Sequence, residues 1–431
     1  MRRPAGARRS WLRTEGLWRE PDFLKLWAGE TVSTFGDQIT LLALPLTAIL
    51  TLHAGAAEMG LLAAVGAAPI ALFSLFAGVW VDRVRRRPIL VAADVGRALA
   101  LATVPAAFVL GVLTMAQLYV VAFVTGTLSV LFLIAYQSYL PSLVGREQLV
   151  DANAKMSATE SVSQLAGPGL AGLLVQLFTA PLPVIFDALS FLASVLGLVT
   201  IRRREPSASP RARGLDLRSE IQEGMAALLG HPALRVLFVS ASVANLFASG
   251  QLALFLLFLT RDVGLVPSQI GLVLGLGSLG SIAGAVTAVT AAKRIGTGPS
   301  FVWGAGLFVA GGLLRGFASG SALVATATLV AAQLAFSVGL TWWNVNAPAL
   351  RQAVVPAELL GRVNATWRFG VWGVGPVGAL LGGAAGQVIG LRPAMIAGGV
   401  GGAIALAIIS ASSLPRQRTI APAMEISAEG V

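Results

Sequence analysis

Two groups of polar residues sit inside long apolar stretches of this 431-residue chain, where a charge needs a reason to be, and a third sits in a short hairpin between two such stretches. Asp37, followed by Gln38 and Thr40, lies deep in the apolar run that begins at Phe23. At roughly 1.5 Å per residue it stands about 21 Å along a helix, well inside a bilayer. A carboxyl at that depth can trade a proton with its surroundings, which is the chemistry of proton coupling. Glu30, nearer the start of the same run, reads as a hydrated structural residue. Asp94 and Arg97 are three apart, so they share a helix face and can pair; Asp94 is the second candidate for proton exchange. The third group is the hairpin Gly78-Val79-Trp80-Val81-Asp82-Arg83-Val84-Arg85-Arg86-Arg87. Arginine clusters of this kind stay in the cytoplasm. Asp82 can face the N-terminal amides of a helix in the other half of the chain, a contact that must break whenever the cytoplasmic side opens. Gly78, Asp82, Arg83, Arg86 and Arg87 are therefore read as a gate rather than a substrate contact.

Other chemistries have little to work with. The chain has no cysteine, and His53 and His231 have no companions at ligand spacing, so neither thiolate nor metal chemistry is expected. No phosphate-binding glycine loop and no nucleophile–base pair is present. The expectation is a protein that is not an enzyme, needs no cofactor and does not use ATP.

These groups need helices that cross a membrane to hold them. The chain is 56% hydrophobic and 12% charged, about half the charged share of a soluble protein. Its 49 glycines suit close helix packing in lipid. Twelve stretches reach spanning length: 23–50, 59–81, 88–112, 116–140, 156–179, 183–201, 234–260, 269–292, 299–318, 321–346, 363–388 and 393–414. The run from Phe23 is too long for a signal peptide and reads as a retained first helix. With the N-terminus placed in the cytoplasm, 27 of the 31 Lys and Arg fall on the inner side. Arg261, Arg315 and Arg392 fall outside, and Arg97 lies within a span. This asymmetry predicts both termini in the cytoplasm. It also explains the net charge of +11 by anchoring to lipid headgroups, with no nucleic acid involved.

The segment 202–233 divides the chain into a basic tail (1–22), a first six-span unit (23–201), a second (234–414) and a second tail (415–431). Within the divider, Leu217, Ile221, Met225 and Leu228 recur at helical spacing and predict an amphipathic tether on the inner surface. The two units look like copies. Pro141-Ser142-Leu143 recurs as Pro348-Ala349-Leu350, and Gly167-Pro168 as Gly375-Pro376. Such parallel repeats are one architecture of secondary transporters, with the substrate held between the halves.

Gly78, Asp82, Arg83, Arg86 and Arg87 match the loop pattern between spans 2 and 3 of the major facilitator superfamily, with Arg85 where that family usually has a second glycine. Gly36-Asp37-Gln38, Asp94-Val95-Gly96-Arg97-Ala98, Gly167-Pro168-Gly169-Leu170-Ala171-Gly172, Phe186-Asp187-Ala188-Leu189-Ser190-Phe191 and Gly361-Arg362-Val363-Asn364-Ala365 extend the likeness over about residues 20–414. Together they resemble the exporter branch that includes macrolide-efflux and enterobactin-exporter-like permeases. The resemblance implies an all-α fold of twelve transmembrane helices in two pseudo-symmetric six-helix bundles. It adds Arg97 and Arg362 to the gate and makes Gly167, Pro168 and Gly172 an antiporter motif. Ser163 replaces a further glycine of that motif, and span 4 lacks the arginine many drug exporters carry there.

The expected function is proton-coupled efflux of small apolar or amphipathic compounds, such as a drug or antibiotic, by a monomer in the cell membrane. A siderophore or secondary-metabolite exporter is the alternative within the class. A non-transporting membrane sensor or assembly partner is the alternative outside it. Gln38, Asn245, Gln251, Gln333, Trp343, Asn344 and Asn346 are the substrate-cavity candidates. Spans 7–12 hold no acidic residue, so these amides and the indole favour a neutral, weakly basic or amphipathic substrate over a strongly anionic one.

Overall fold

The computed structural model describes residues 16–145, 147–203, 205 and 217–416. Among them the chain is helical, with no strand. In the first half, α1 (Pro21–Leu46) ends in a π-helical turn (Thr47–Thr51), and α2 (Ala56–Arg83), α3 (Arg86–Val109), α4 (Met115–Val144), α5 (Leu149–Phe178) and α6 (Val184–Thr200) follow. A short helix, α7 (Leu217–Gly230), begins the second half. It is followed by α8 (Pro232–Arg261), α9 (Pro267–Ile295), α10 (Thr297–Gly316) and α11 (Ala322–Val354). The last span positions are α12 (Ala357–Trp372), α13 (Gly375–Ile389) and α14 (Leu391–Ser410).

Eleven of the spans among the described residues are long and apolar enough to cross a membrane, with α12 and α13 counted together as one. The twelfth, α6, has 17 residues, at the short end of what a bilayer accepts. The expected amphipathic helix forms as α7, although the side chains of Leu217 and Ile221 lie outside the described residues. Short reversals between spans rest on glycines where the backbone turns left-handed, as at Gly145 (φ +81°), Gly296 (φ +97°) and Gly390 (φ +87°).

One expected span is broken. The stretch 363–388 was read as a single helix, but α12 stops at Trp372 and α13 starts at Gly375. Pro376 has no N–H to offer the preceding turn, and Gly373 lies in the gap with Gly375 just after it. The same dipeptide at Gly167-Pro168 leaves α5 continuous.

The hairpins alternate between two faces. One carries Arg85–Arg87, the 145–148 turn, α7 and the 355–356 turn, and is called the basic face here. The apolar core reports how the halves meet. At the other face a single cluster joins both halves, with Leu42, Leu62, Val175 and Phe191 packed in one continuous group with Phe258, Val273 and Met395. Toward the basic face the core divides into two separate clusters. One lies in the first half around Phe23, Leu90, Tyr139 and Leu198. The other lies in the second half around Leu237, Phe301, Leu350 and Trp367. The halves thus share one apolar core at the far face, and among the described residues no cluster joins them at the basic face.

Candidate functional site

In the first half the charged residues converge. Asp94 and Arg97, one helical turn apart on α3, form a buried ion pair. The guanidinium also lies over the rings of Phe132 (4.5 Å) on α4 and Phe191 (4.1 Å) on α6, and reaches Ser129 Oγ at 3.5 Å. This stacking, worth about 2 kcal/mol or more once water is excluded, fixes the arginine among α3, α4 and α6. Its observed contacts are inside the bundle and not with residues 84–87. Asp37, on α1, is within electrostatic range of both Asp94 and Arg97. It is exposed despite its mid-span position, on a stripe with Ala28, Val32 and Leu41. A mid-span carboxyl is expected to face a water-filled cavity rather than lipid.

Two further carboxyls complete the group. Glu30 Oε1 accepts from Ser194 Oγ at 3.4 Å. Asp187, buried in the first turn of α6, accepts from Ser190 Oγ at 3.0 Å and interacts with Asp37. Four carboxyls therefore surround one guanidinium. Such a set can take up or pass on a proton while Arg97 stays in place.

The second half holds a cavity of about 360 Å³ among α8, α10, α11, α12 and α14. Of the expected substrate contacts, Asn245, Gln333, Trp343 and Asn344 line it. Asn245 Nδ2 also donates to the carbonyl of Val371 at 2.6 Å, in the turn just before the α12–α13 break. Gln251 and Asn346 have other duties. Gln251 is buried and donates to the carbonyls of Gly312 (3.0 Å) and Met395 (2.6 Å), clasping α8 to α10 and α14. Asn346 is buried and donates back to the carbonyl of Trp342 at 2.9 Å. Gln38 belongs to the first half, where its side chain packs against Gly167.

Arg315 lines the same cavity. It was assigned to the outer side by its place near a span end, but its side chain turns inward and is only 4% exposed. Its Nη2 donates to Gln333 Oε1 at 2.6 Å, and its plane lies over Phe336 (3.8 Å) and Phe255 (4.8 Å). The one available signal was the apolar run around it, Leu313-Leu314 before and Phe317 after.

The halves close on each other through two small-residue crossings. Where α5 meets α9, a side chain on Gly172 would strike the carbonyl of Pro267, and one on Gly271 would strike the carbonyl of Pro168. The two segments, Pro168–Gly172 and Pro267–Gly271, have the same Pro-x-x-x-Gly spacing and meet reciprocally. Where α2 meets α13, a Cβ on Gly60 would sit 2.7 Å from the Cα of Gly383, and the reverse holds. Backbones can approach this closely only without side chains. Gly172, more than Gly167, thus sets the approach of the halves. Across the same face Arg261 Nη2 donates to the carbonyl of His53 at 3.0 Å, and Ser268 N donates to Gln176 Oε1 at 3.2 Å.

At the basic face the gate residues divide. The C-terminal end of α2 contains Gly78, Asp82 and Arg83, and the side chains of Asp82 and Arg83 lie outside the described residues. Arg86 and Arg87 open α3, where their backbone amides donate to the carboxylate of Glu205 at 2.8 and 3.2 Å. Glu205 so caps the positive end of the α3 dipole. Arg87 Nη2 also donates to the carbonyl of Val199 at 2.7 Å. Arg362, on α12, pairs with Glu223 of α7, and the two helices approach closely at Gly224, where an added Cβ would be 2.8 Å from the Arg362 carbonyl. Glu205 and Glu223 carried no sequence signal, because their partners are more than a hundred residues away.

Comparison with known proteins adds the following. The sequence profile of the Major Facilitator Superfamily matches residues 26–252. The uncharacterized MFS-type transporter YfiS of Bacillus subtilis (strain 168) is 27% identical over 350 residues, which is 79% of this chain and 81% of YfiS. The multidrug efflux pump Tap of Mycolicibacterium fortuitum is 28% identical over 62% of this chain and 66% of Tap. Macrolide efflux protein A of Streptococcus pyogenes is 28% identical over 48% of this chain and 51% of its own length. Among solved structures, the nucleoside transporter NupG superposes with a TM-score of 0.74 at 11% identity, covering 90% of this chain and 98% of that one. A bacterial homologue of the iron transporter ferroportin, in its inward-facing state, gives 0.69 at 19% identity, over 90% and 98%. These likenesses concern the fold.

Proposed function

Because the chain belongs to the Major Facilitator Superfamily, and is thus a multi-pass membrane transporter, we propose that it is a proton-coupled efflux pump for small apolar or amphipathic compounds. The observation that carries this reading is Asp37, a mid-span carboxyl within electrostatic range of the buried Asp94–Arg97 pair; in this scheme it lines the cleft between the halves. When the cleft faces one side, Asp37 trades its proton with that side. When the halves rock, the proton crosses, and the substrate crosses the other way. Tap and macrolide efflux protein A are efflux proteins by name, and their similarity supports the outward direction. The reciprocal Pro-x-x-x-Gly crossing at Gly172 serves as the outer seal in this scheme.

The basic face lies in the cytoplasm of this monomer, held there by its arginines, and the gate of Asp82, Arg83, Arg86, Arg87 and Arg362 acts on that side. Asn245, Gln333, Trp343 and Asn344 provide the substrate cavity. Inside-out vesicles energised to an acid interior test the proposal. They should accumulate an amphipathic fluorescent dye, and an uncoupler should abolish the accumulation. Vesicles that lose dye under that gradient would point to uptake instead.

A further inference from the structure

The second half buries two arginines, Arg351 and Arg315, with no ion pair to either among the described residues, and of the two Arg315 lines the cavity. Between residues 232 and 410 the only acidic residues are Asp262, which caps the end of α8, and Glu358, in the first turn of α12. Arg315 is 4% exposed, lines the cavity and has a neutral amide, Gln333, as its hydrogen-bond partner. Its Nε has no partner among the described residues. Its guanidinium lies over the rings of Phe336 and Phe255. An uncompensated charge in a low-dielectric site is unfavourable, and a ligand that supplies the missing negative charge gains what the protein lacks. The cavity, at about 360 Å³, lies in the size range of small-molecule sites. The rest of its wall supplies indoles, from Trp343, Trp367 and Trp372, suited to a planar apolar body.

We propose that Arg315 anchors the acidic group of an aromatic or amphipathic monocarboxylate in this cavity, so that the substrate class is weak organic acids with an apolar body. This rests on the efflux reading only for the direction of movement; the site itself stands on Arg315 and its surroundings. It reverses the preference for a non-anionic substrate that the missing acids and the amide lining had suggested, because those same missing acids leave Arg315 free for the ligand.

The test is binding of two isosteric probes, 2-naphthoate and 2-naphthamide, to the full chain in phosphatidylcholine discs, where no net-anionic lipid can fill the site. The ratio of the two affinities is the readout, so a general loss of fold or of apolar contact cancels. Wild type should prefer the acid by about tenfold or more, the scale of a charge-assisted hydrogen bond. Arg315→Gln should bring the ratio near one. Gln333→Glu should do the same while keeping the arginine, because it places a carboxylate at the atom Arg315 already touches. Arg315→Lys should retain part of the preference. Arg392→Gln, whose guanidinium lies over Phe258 and binds the carbonyls of Gly316 and Ala318, should keep the wild-type ratio. No acid preference in wild type, or a preference that survives either Arg315→Gln or Gln333→Glu, would overturn the proposal. No gradient is present in the discs. A failure of export in vesicles with the acid preference intact would therefore count against the efflux reading alone.

Discussion

Each half of the molecule buries an arginine on its third span and stacks it on two phenylalanine rings. Arg97 on α3 lies between Phe132 and Phe191, and Arg315 on α10 between Phe336 and Phe255. The difference is in what answers the charge. Arg97 is paired with Asp94 and ringed by Glu30, Asp37 and Asp187. Arg315 has the amide of Gln333. The same scaffold thus carries an excess of negative groups on one side and a deficit on the other. On the proposed reading the excess handles protons and the deficit handles substrate. A duplicated fold could in this way divide coupling from recognition by changing the partners of one buried arginine.

The severest challenge to the comparison is to remove the paired cation. Arg97→Leu leaves Asp94 buried and alone, which should cost roughly 3–5 kcal/mol, read as a lower unfolding midpoint in lipid discs. The double variant Arg97→Leu/Asp94→Leu should recover part of that loss, since the two residues compensate each other. An Arg97→Leu protein as stable as wild type would show that the pair is not what secures this half.

Next in size is the seal between the halves. Gly172→Val drives a side chain into the Pro267 carbonyl of the other half, whereas Gly167→Val meets Gln38 of its own half. The chain has no cysteine, so spin labels at Leu177→Cys and Val266→Cys can report the far-face distance. Gly172→Val should lengthen it and Gly167→Val should change it little. Equal effects would mean that Gly172 has no special part in closing that face.

A smaller effect is expected when the second half is made to resemble the first. Gln333→Glu supplies Arg315 with a carboxylate and should raise the unfolding free energy by roughly 1–3 kcal/mol. A fall in stability would mean that the Arg315 charge is already compensated. Smallest is Asn245→Ala, which leaves the Val371 carbonyl without its side-chain donor and should cost about 1 kcal/mol. No change would mean that the α12–α13 break is held by other contacts.

Much of the fold was legible because hydrophobic length and arginine placement are local signals. Eleven of the twelve spans coincide with single helices, the stretch 363–388 falls on α12 and α13, and the amphipathic spacing around Met225 and Leu228 became α7. The break at 373–374 was not legible. Gly-Pro occurs in both α5 and α13, and only in the second do Gly373 and the α8 residue Asn245 favour an open turn. Within the site, Asp37, Asp94 and Arg97 stood out because charge inside a span is rare. Glu30 and Asp187 were seen as polar residues, but their convergence on Arg97 depends on how α1, α3 and α6 pack. Arg315 was placed by its distance from a span end, which says nothing of the direction its side chain takes. Gln251 and Asn346 looked like cavity residues because an amide in a span has no visible partner until the neighbouring carbonyls of Met395 and Trp342 are known.

The central claim is that the cleft carboxyl of Asp37 couples proton movement to transport, and Asp37→Asn tests it most directly. Wild type and variant, reconstituted in proteoliposomes, are compared in two modes with one amphipathic carboxylate dye: accumulation driven by a pH gradient, and dye-for-dye exchange with no gradient. The variant should lose gradient-driven accumulation and keep exchange, because the rocking of the halves and the second-half cavity are untouched. Accumulation at the wild-type level in the Asn variant would contradict the assignment and move proton coupling away from Asp37.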